Sequence, residues 1–86
     1  KPEEEVHQIR AIMSLAVESN REEAVMRQLR GHVSVVTLHS VNGRWDLVAE
    51  LRLDTLEAFD RLISTIRAIP GVQATETSIV LATYKM

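Results

Sequence analysis

The dipeptide Asn42-Gly43 falls at the midpoint of this 86-residue chain, and the residues on either side of it read as the same order of elements: strand, helix, strand. Asn and Gly adopt positive φ at least cost, and a two-residue type I′ turn demands positive φ at both central positions. The segment Val41-Asn42-Gly43-Arg44-Trp45-Asp46-Leu47 is therefore expected to close a tight hairpin between antiparallel strands. A strand-helix-strand unit on each side of such a hairpin leaves few ways to build one sheet.

Before the hairpin, Ile9, Ala11, Met13, Leu15 and Val17 are apolar at every second position, the period of a strand with one buried face. Ser19 with Glu22, or Asn20 with Glu23, has capping-box spacing, and Arg21 to Arg30 follows as a helix with Val25 and Leu29 one turn apart. Gly31 stops it. The β-branched run from His32 to Val41 reads as the second strand. After the turn, Trp45, Leu47, Ala49, Leu51 and Leu53 alternate as a third. Asp54 with Glu57 opens a second helix with Leu56, Phe59, Leu62, Ile63 and Ile66 on one stripe, leaving Asp60, Arg61, Ser64 and Arg67 to water. Ile69-Pro70-Gly71 ends that helix, and Val72 to Tyr84 supplies the last strand. The order β-α-β-β-α-β with right-handed crossovers predicts an α+β, ferredoxin-like sandwich, a four-stranded antiparallel sheet with both helices on one face.

Composition narrows the functions such a sandwich can serve. Residues 1–86 are expected to form one domain, with Lys1 to Glu5 as a solvated lead-in. The net charge of -2 argues against a phosphate-neutralising surface, so any contact with DNA belongs to a separate domain. The absence of cysteine excludes disulfides, thiolate catalysis and Cys-based metal sites. His7 and His32 have no carboxylate or cysteine companions at ligand spacing, and the glycines form no phosphate loop, so no metal and no cofactor are expected. No apolar run is long enough to cross a bilayer, and a cytoplasmic location is the expectation.

A type I′ turn at Asn42-Gly43 sets Val41 opposite Arg44, His39 opposite Asp46, Thr37 opposite Val48 and Val35 opposite Glu50. Trp45, Leu47, Ala49 and Leu51 then share a face with Val36 and Leu38 as the floor under the helices. The opposite face carries Ile12, Val33, Val35, Val41 and Val48 beside His39, Asp46, Glu50 and Arg52. A domain this small hides only about 60 to 65% of the surface its unfolded chain exposes, and contiguous apolar patches mark interaction sites. The expected partner is a second copy. Ile12, Val33, Val35, His39, Val41 and Val48 are the predicted interface of a sheet-to-sheet homodimer.

The hairpin from Val41 to Ala49, followed by the amphipathic helix and by Ile66-Arg67-Ala68-Ile69-Pro70-Gly71-Val72-Gln73-Ala74-Thr75-Glu76-Thr77-Ser78-Ile79-Val80-Leu81, resembles the C-terminal domain of Lrp/AsnC transcriptional regulators. The resemblance runs from Ile9 to Thr83. It implies a domain for amino-acid-linked regulation, the RAM domain, which dimerises through its sheets as a dimeric α/β barrel. In many members it assembles further into octamers, with a small amino-acid effector bound at interfaces between subunits. The DNA-binding helix-turn-helix of such regulators is absent from these residues, so the expectation is either a piece of a longer regulator, which the start at Lys1 instead of Met favours, or a stand-alone version of the domain.

The resemblance carries over an effector cleft built on Gly43 and Asp46, with Asn42 and Arg44 beside them and Thr75 and Thr77, along with Ser78, on the last strand. Many relatives have an acidic residue where this chain has Arg44. Gly43 leaves a bare backbone N–H that a carboxylate can approach. Asp46 suits an ammonium group or, alternatively, a cross-strand pair with His39 or Arg44. The hydroxyls can donate and accept around an amino-acid headgroup, or simply reflect strand propensity. Trp45 reads as a core aromatic. Ferredoxin-like dimers also include small cofactor-free monooxygenases and isomerases, and His39 beside Asp46 is the one pair that resembles an oriented base. No nucleophile or oxyanion device accompanies it, so no catalytic residues are assigned.

Overall fold

The alternation in the first strand is what organises the sheet. In the computed structural model, which describes residues 8–86, β1 (Ile9–Val17) pairs antiparallel with β3 (Leu47–Leu53) on one side and with β4 (Val72–Ile79) on the other. Strand β2 (Val35–Ser40) pairs with β3, giving the order β2-β3-β1-β4. Ala11, Met13 and Leu15 of β1 and Leu47, Ala49 and Leu51 of β3 are completely buried. They lie beneath Val25 and Leu29 of α1 (Glu22–Arg30) and Phe59, Leu62 and Ile66 of α2 (Leu56–Arg67). Fold class, element order and the one-sided placement of both helices follow the sequence expectation.

Gly31 caps the end of α1 as expected, but the helix starts are set by other residues than the sequence suggests. A 3-10 turn, Ser19–Arg21, leads into α1 with no side-chain cap, so neither capping box forms. Thr55, not Asp54, caps α2: its hydroxyl accepts from the Ala58 N–H at 3.0 Å. Leu56, placed on the apolar stripe by spacing, is the first residue of α2 and is 63% exposed. After α2, Gly71 adopts φ 105°. A Cβ there would stand 2.5 Å from the Arg21 Cβ, so the chain can turn into β4 beneath the 3-10 turn only with glycine.

The hairpin is not a type I′ turn. Gly71 is the only described residue with positive φ, so Asn42 and Gly43 have none. The Val41 N–H donates to the Asp46 carbonyl at 3.0 Å, which leaves a four-residue loop, Asn42 to Trp45, between the paired positions. His39 consequently faces Val48, and Thr37 faces Glu50, each two positions from the expected partner. A slip of two preserves the face of every side chain. A second irregularity does not: between Val35 and Thr37 the register shifts by one, as at a β-bulge, and Val35 stands opposite Leu51, packed against the core. Val35 is thereby removed from the predicted dimer face, and Val36, expected under the helices, is 42% exposed. Trp45 precedes β3 and is half-buried, outside the core.

Strand β2 begins three residues later than expected, because His32 to Ser34 form a turn in which the Val35 N–H donates to the His32 carbonyl at 3.0 Å. Strand β4 ends at Ile79, although one further bond joins the Val80 N–H to the Arg10 carbonyl at 2.8 Å. The lead-in and His7 lie outside the described residues. Two glycine substitutions test this geometry by chemical denaturation. Gly71→Ala should cost at least about 1 to 3 kcal/mol, whereas Gly43→Ala should stay within about 0.5 kcal/mol of wild type, since a Cβ there meets nothing within 4 Å. A large loss at Gly43 would restore the type I′ turn.

Candidate effector site and open sheet face

Asp46 is held by β1 before any ligand arrives. Its N–H donates to the Leu15 carbonyl at 2.9 Å, and its carboxylate Oδ2 accepts from the Val17 N–H at 2.8 Å. The expected neighbour His39 is two positions out of register, so neither the cross-strand pair nor the oriented base forms. The carboxylate instead terminates β1, satisfying a donor on a residue only 6% exposed. Asn42, Gly43 and Arg44 stand exposed on the loop beyond it. The Arg44 guanidinium lies 5.6 Å from the centroid of the Trp45 ring, a cation–π distance that fixes this side chain against the loop.

Thr75 and Thr77 occupy a different face and a different edge. Their register partners on β1 are Leu15 and Met13, core residues, so both hydroxyls lie on the helix side. There they line a groove of about 720 Å³ between α2 and β4, with Phe59, Asp60, Ile63, Arg67, Val72, Gln73, Ala74 and Ile79. Two strand spacings, about 10 Å, separate β4 from the strand that carries the loop. Within one chain the loop residues and the hydroxyls do not meet. Asp60 and Arg67, assigned to solvent from the sequence, are the charged groups that the sequence reading missed. Their signal was the spacing of Asp60, Ile63 and Arg67, three and then four residues apart, which puts all three on one stripe of the helix.

On the side away from the helices, register places Ile12, Ser14 and Ala16 of β1 beside Val48, Glu50 and Arg52 of β3, with Thr37 and His39 on β2 and Glu76 and Ser78 on β4. Ile12 is 44% and Val41 40% exposed. Glu50 sits between two arginines, Oε2 at 3.4 Å from Arg10 Nη2 and 3.6 Å from Arg52 Nε, while Arg10 Nη1 also donates to Thr83 Oγ1 at 3.1 Å. Val33 lies in the turn ahead of β2 and is 90% exposed. Among the described residues no cluster of metal-ligating side chains occurs and no helix is long and apolar enough to cross a membrane.

The described residues thus form a ferredoxin-like sandwich with an uncovered sheet face on one side and a groove between α2 and β4 on the other. Residues 10–86 match the family model of the Lrp/AsnC ligand binding domain, and the chain belongs to that family. The HTH-type transcriptional regulator FL11 of Pyrococcus horikoshii is 29% identical over 84 residues, which are 98% of this chain and 56% of the relative. This chain therefore spans little more than half the length of the curated relatives it matches. The crystal structure of TTHA0845 from Thermus thermophilus superposes with a TM-score of 0.83 at 30% identity, covering 91% of this chain and 99% of that one. The regulator NMB0573 of Neisseria meningitidis, solved as a complex with L-Met, shares the fold, with a TM-score of 0.87 at 20% identity over 100% of this chain and 58% of that one. The family is regulatory and its relatives are named as transcriptional regulators, not enzymes.

Denaturation of the ligand-free protein separates the two roles of Asp46. Asp46→Ala should lose about 1 to 3 kcal/mol because the Val17 N–H is left unsatisfied, and Asp46→Asn, which keeps an acceptor oxygen, should lose clearly less. Equal stability of Asp46→Ala and wild type would mean that the carboxylate serves only a ligand.

Proposed function

We propose that this chain is the effector-sensing and oligomerisation domain of an Lrp/AsnC-type regulator, or a stand-alone version of it, working in the cytoplasm as one domain. It binds a small amino acid where copies of the domain meet. The observation that carries the reading is the family match over residues 10–86. The separation of loop and groove supports it, since Asn42, Gly43 and Arg44 on one edge and Thr75 and Thr77 on another can serve one ligand only when supplied by different copies. The methionine bound to a regulator of the same fold is the kind of ligand that such a junction holds.

The homodimer forms through the open sheet face, with Ile12, Val48, His39 and Val41 against their counterparts. A further association of dimers into an octamer brings the loop of one chain to the groove of another. DNA is contacted by a separate helix-turn-helix segment, as the names of the FL11 relatives indicate for those proteins. An effector then acts by binding one assembly better than another, because a ligand shifts an equilibrium only by its differential affinity.

Size-exclusion chromatography with light scattering checks the assembly. The expected mass is at least twice 9.7 kDa, reduced to the monomer by Val48→Glu with the circular dichroism unchanged. Thermal unfolding with each of the twenty amino acids at millimolar concentration checks the ligand. One of them at a hundred times its Kd should add roughly 2.7 kcal/mol of stability. A folded wild-type monomer, or no shift with any of the twenty, contradicts the corresponding half of the proposal.

A further inference from the structure

We infer that Asn42 is a site of spontaneous covalent modification, at which the Gly43 backbone nitrogen displaces ammonia from the Asn42 side chain and leaves aspartate or isoaspartate in the loop between β2 and β3. Asparagine is a thermolabile residue. Its loss of ammonia needs a following backbone nitrogen that is not engaged in a hydrogen bond and has room to close a ring. Asn42 and Gly43 are both exposed. Their loop is closed only at its base, by the Val41 N–H on the Asp46 carbonyl at 3.0 Å, and among the described residues the Gly43 N–H donates to no protein group. A type I′ turn would hold both residues at positive φ beneath a tight closing bond. Here neither has positive φ, and the closing bond lies outside a four-residue loop. Gly43 carries no Cβ to shield its own nitrogen, and nothing stands within 4 Å of where a Cβ would be.

The chain contains one other asparagine, Asn20, and the structure protects it. The nitrogen that would have to attack is that of Arg21, and its N–H already donates to the Glu18 carbonyl at 2.9 Å, in the 3-10 turn Ser19–Arg21. Arg21 is also hemmed in by Gly71, since a Cβ on that glycine would stand 2.5 Å from the Arg21 Cβ. Reaction at Asn20 would have to break the turn first.

At Asn42 the balance is simple. Hydroxide or water removes the Gly43 amide proton, the nitrogen bonds to Asn42 Cγ, and the bond from Cγ to the side-chain nitrogen breaks, so that ammonia leaves and a succinimide ring remains. Water then opens the ring. Cleavage between the ring nitrogen and Cγ gives aspartate, and cleavage between that nitrogen and the main-chain carbonyl carbon gives isoaspartate, whose backbone is longer by a methylene. Either product places a carboxylate near Arg44, the loop cation that lies 5.6 Å from the Trp45 ring centroid. Isoaspartate also lengthens a loop pinned at Val41 and Asp46. The charge and reach of the projecting loop thus change with no enzyme, oxidant or reductant.

Incubation in mildly alkaline buffer, followed by trypsin and mass spectrometry, tests the assignment, because residues 11–21 and 31–44 form separate tryptic peptides with one asparagine each. The wild-type protein and the folded Val48→Glu monomer are followed together with the free 31–44 peptide. In the folded monomer Asn42 should convert to the acid at a rate within about tenfold of the free peptide's, and at least roughly tenfold faster than Asn20. Part of the product should be labelled by an isoaspartate-specific methyltransferase. Gly43→Ala, which leaves the fold intact, should slow conversion by roughly tenfold. Slower conversion in wild type than in the monomer would support the site and show that a second copy covers it. Protection of Asn42 in the folded monomer, conversion of Asn20 at the same rate, or a Gly43→Ala variant that reacts like wild type would each overturn the inference.

Discussion

Strand β1 is hydrogen-bonded along both edges, and each part of the molecule takes its position from that fact. One set of its backbone groups pairs with β3 and the alternate set with β4, so the strand cannot slide without breaking both ladders. Its apolar residues form the floor on which both helices rest, with Ala11, Met13 and Leu15 withdrawn completely from water. The intervening residues, Ile12, Ser14 and Ala16, are directed to the uncovered face by the same pleat. The hydrophobic period that builds the core thus also determines what a second copy would meet.

The same strand explains why the central loop departs from its local preference. Asn42-Gly43 favours a tight turn, but the energy at stake in a turn preference is small beside two hydrogen bonds to a central strand. Asp46 gives its N–H to Leu15 and takes the Val17 N–H on its carboxylate, and these contacts hold the start of β3 against β1. The chain must leave β2 at Val41 and arrive at Asp46 already aligned, which requires the longer loop. That loop leaves Asn42, Gly43 and Arg44 projecting from the sheet, where a neighbouring molecule can be reached.

What could be read from the sequence was whatever repeats. The alternation of Ile9 to Val17 and of Leu47 to Leu53 specified two strands and their buried faces, and the helical stripe from Phe59 to Ile66 specified what covers them. The β2 bulge was illegible because Val35 and Val36 are adjacent and chemically alike, so neither side chain marks which of the two faces water. The groove was half legible: the hydroxyls of Thr75 and Thr77 were picked out, while Asp60 and Arg67 passed for an ordinary solvated face. Their relation to β4 depends on how α2 lies across the sheet, which is a tertiary fact. Family resemblance rested on the sequence from Ile66 to Leu81 and on the hairpin wording, both of which survive the change of turn.

The pairing of two open faces is the claim on which assembly and effector binding both stand. Methyl NMR with a water-soluble gadolinium chelate measures it residue by residue in the assembled protein. Ile12 is 44% exposed in the single chain and Leu56 63%, so an isolated molecule would show both methyl signals strongly broadened. With the two faces paired, Ile12 and Val48 are predicted to stay sharp while Leu56, far from the sheet face, broadens. Broadening of Ile12 comparable to that of Leu56 at concentrations where the protein is assembled would contradict the pairing.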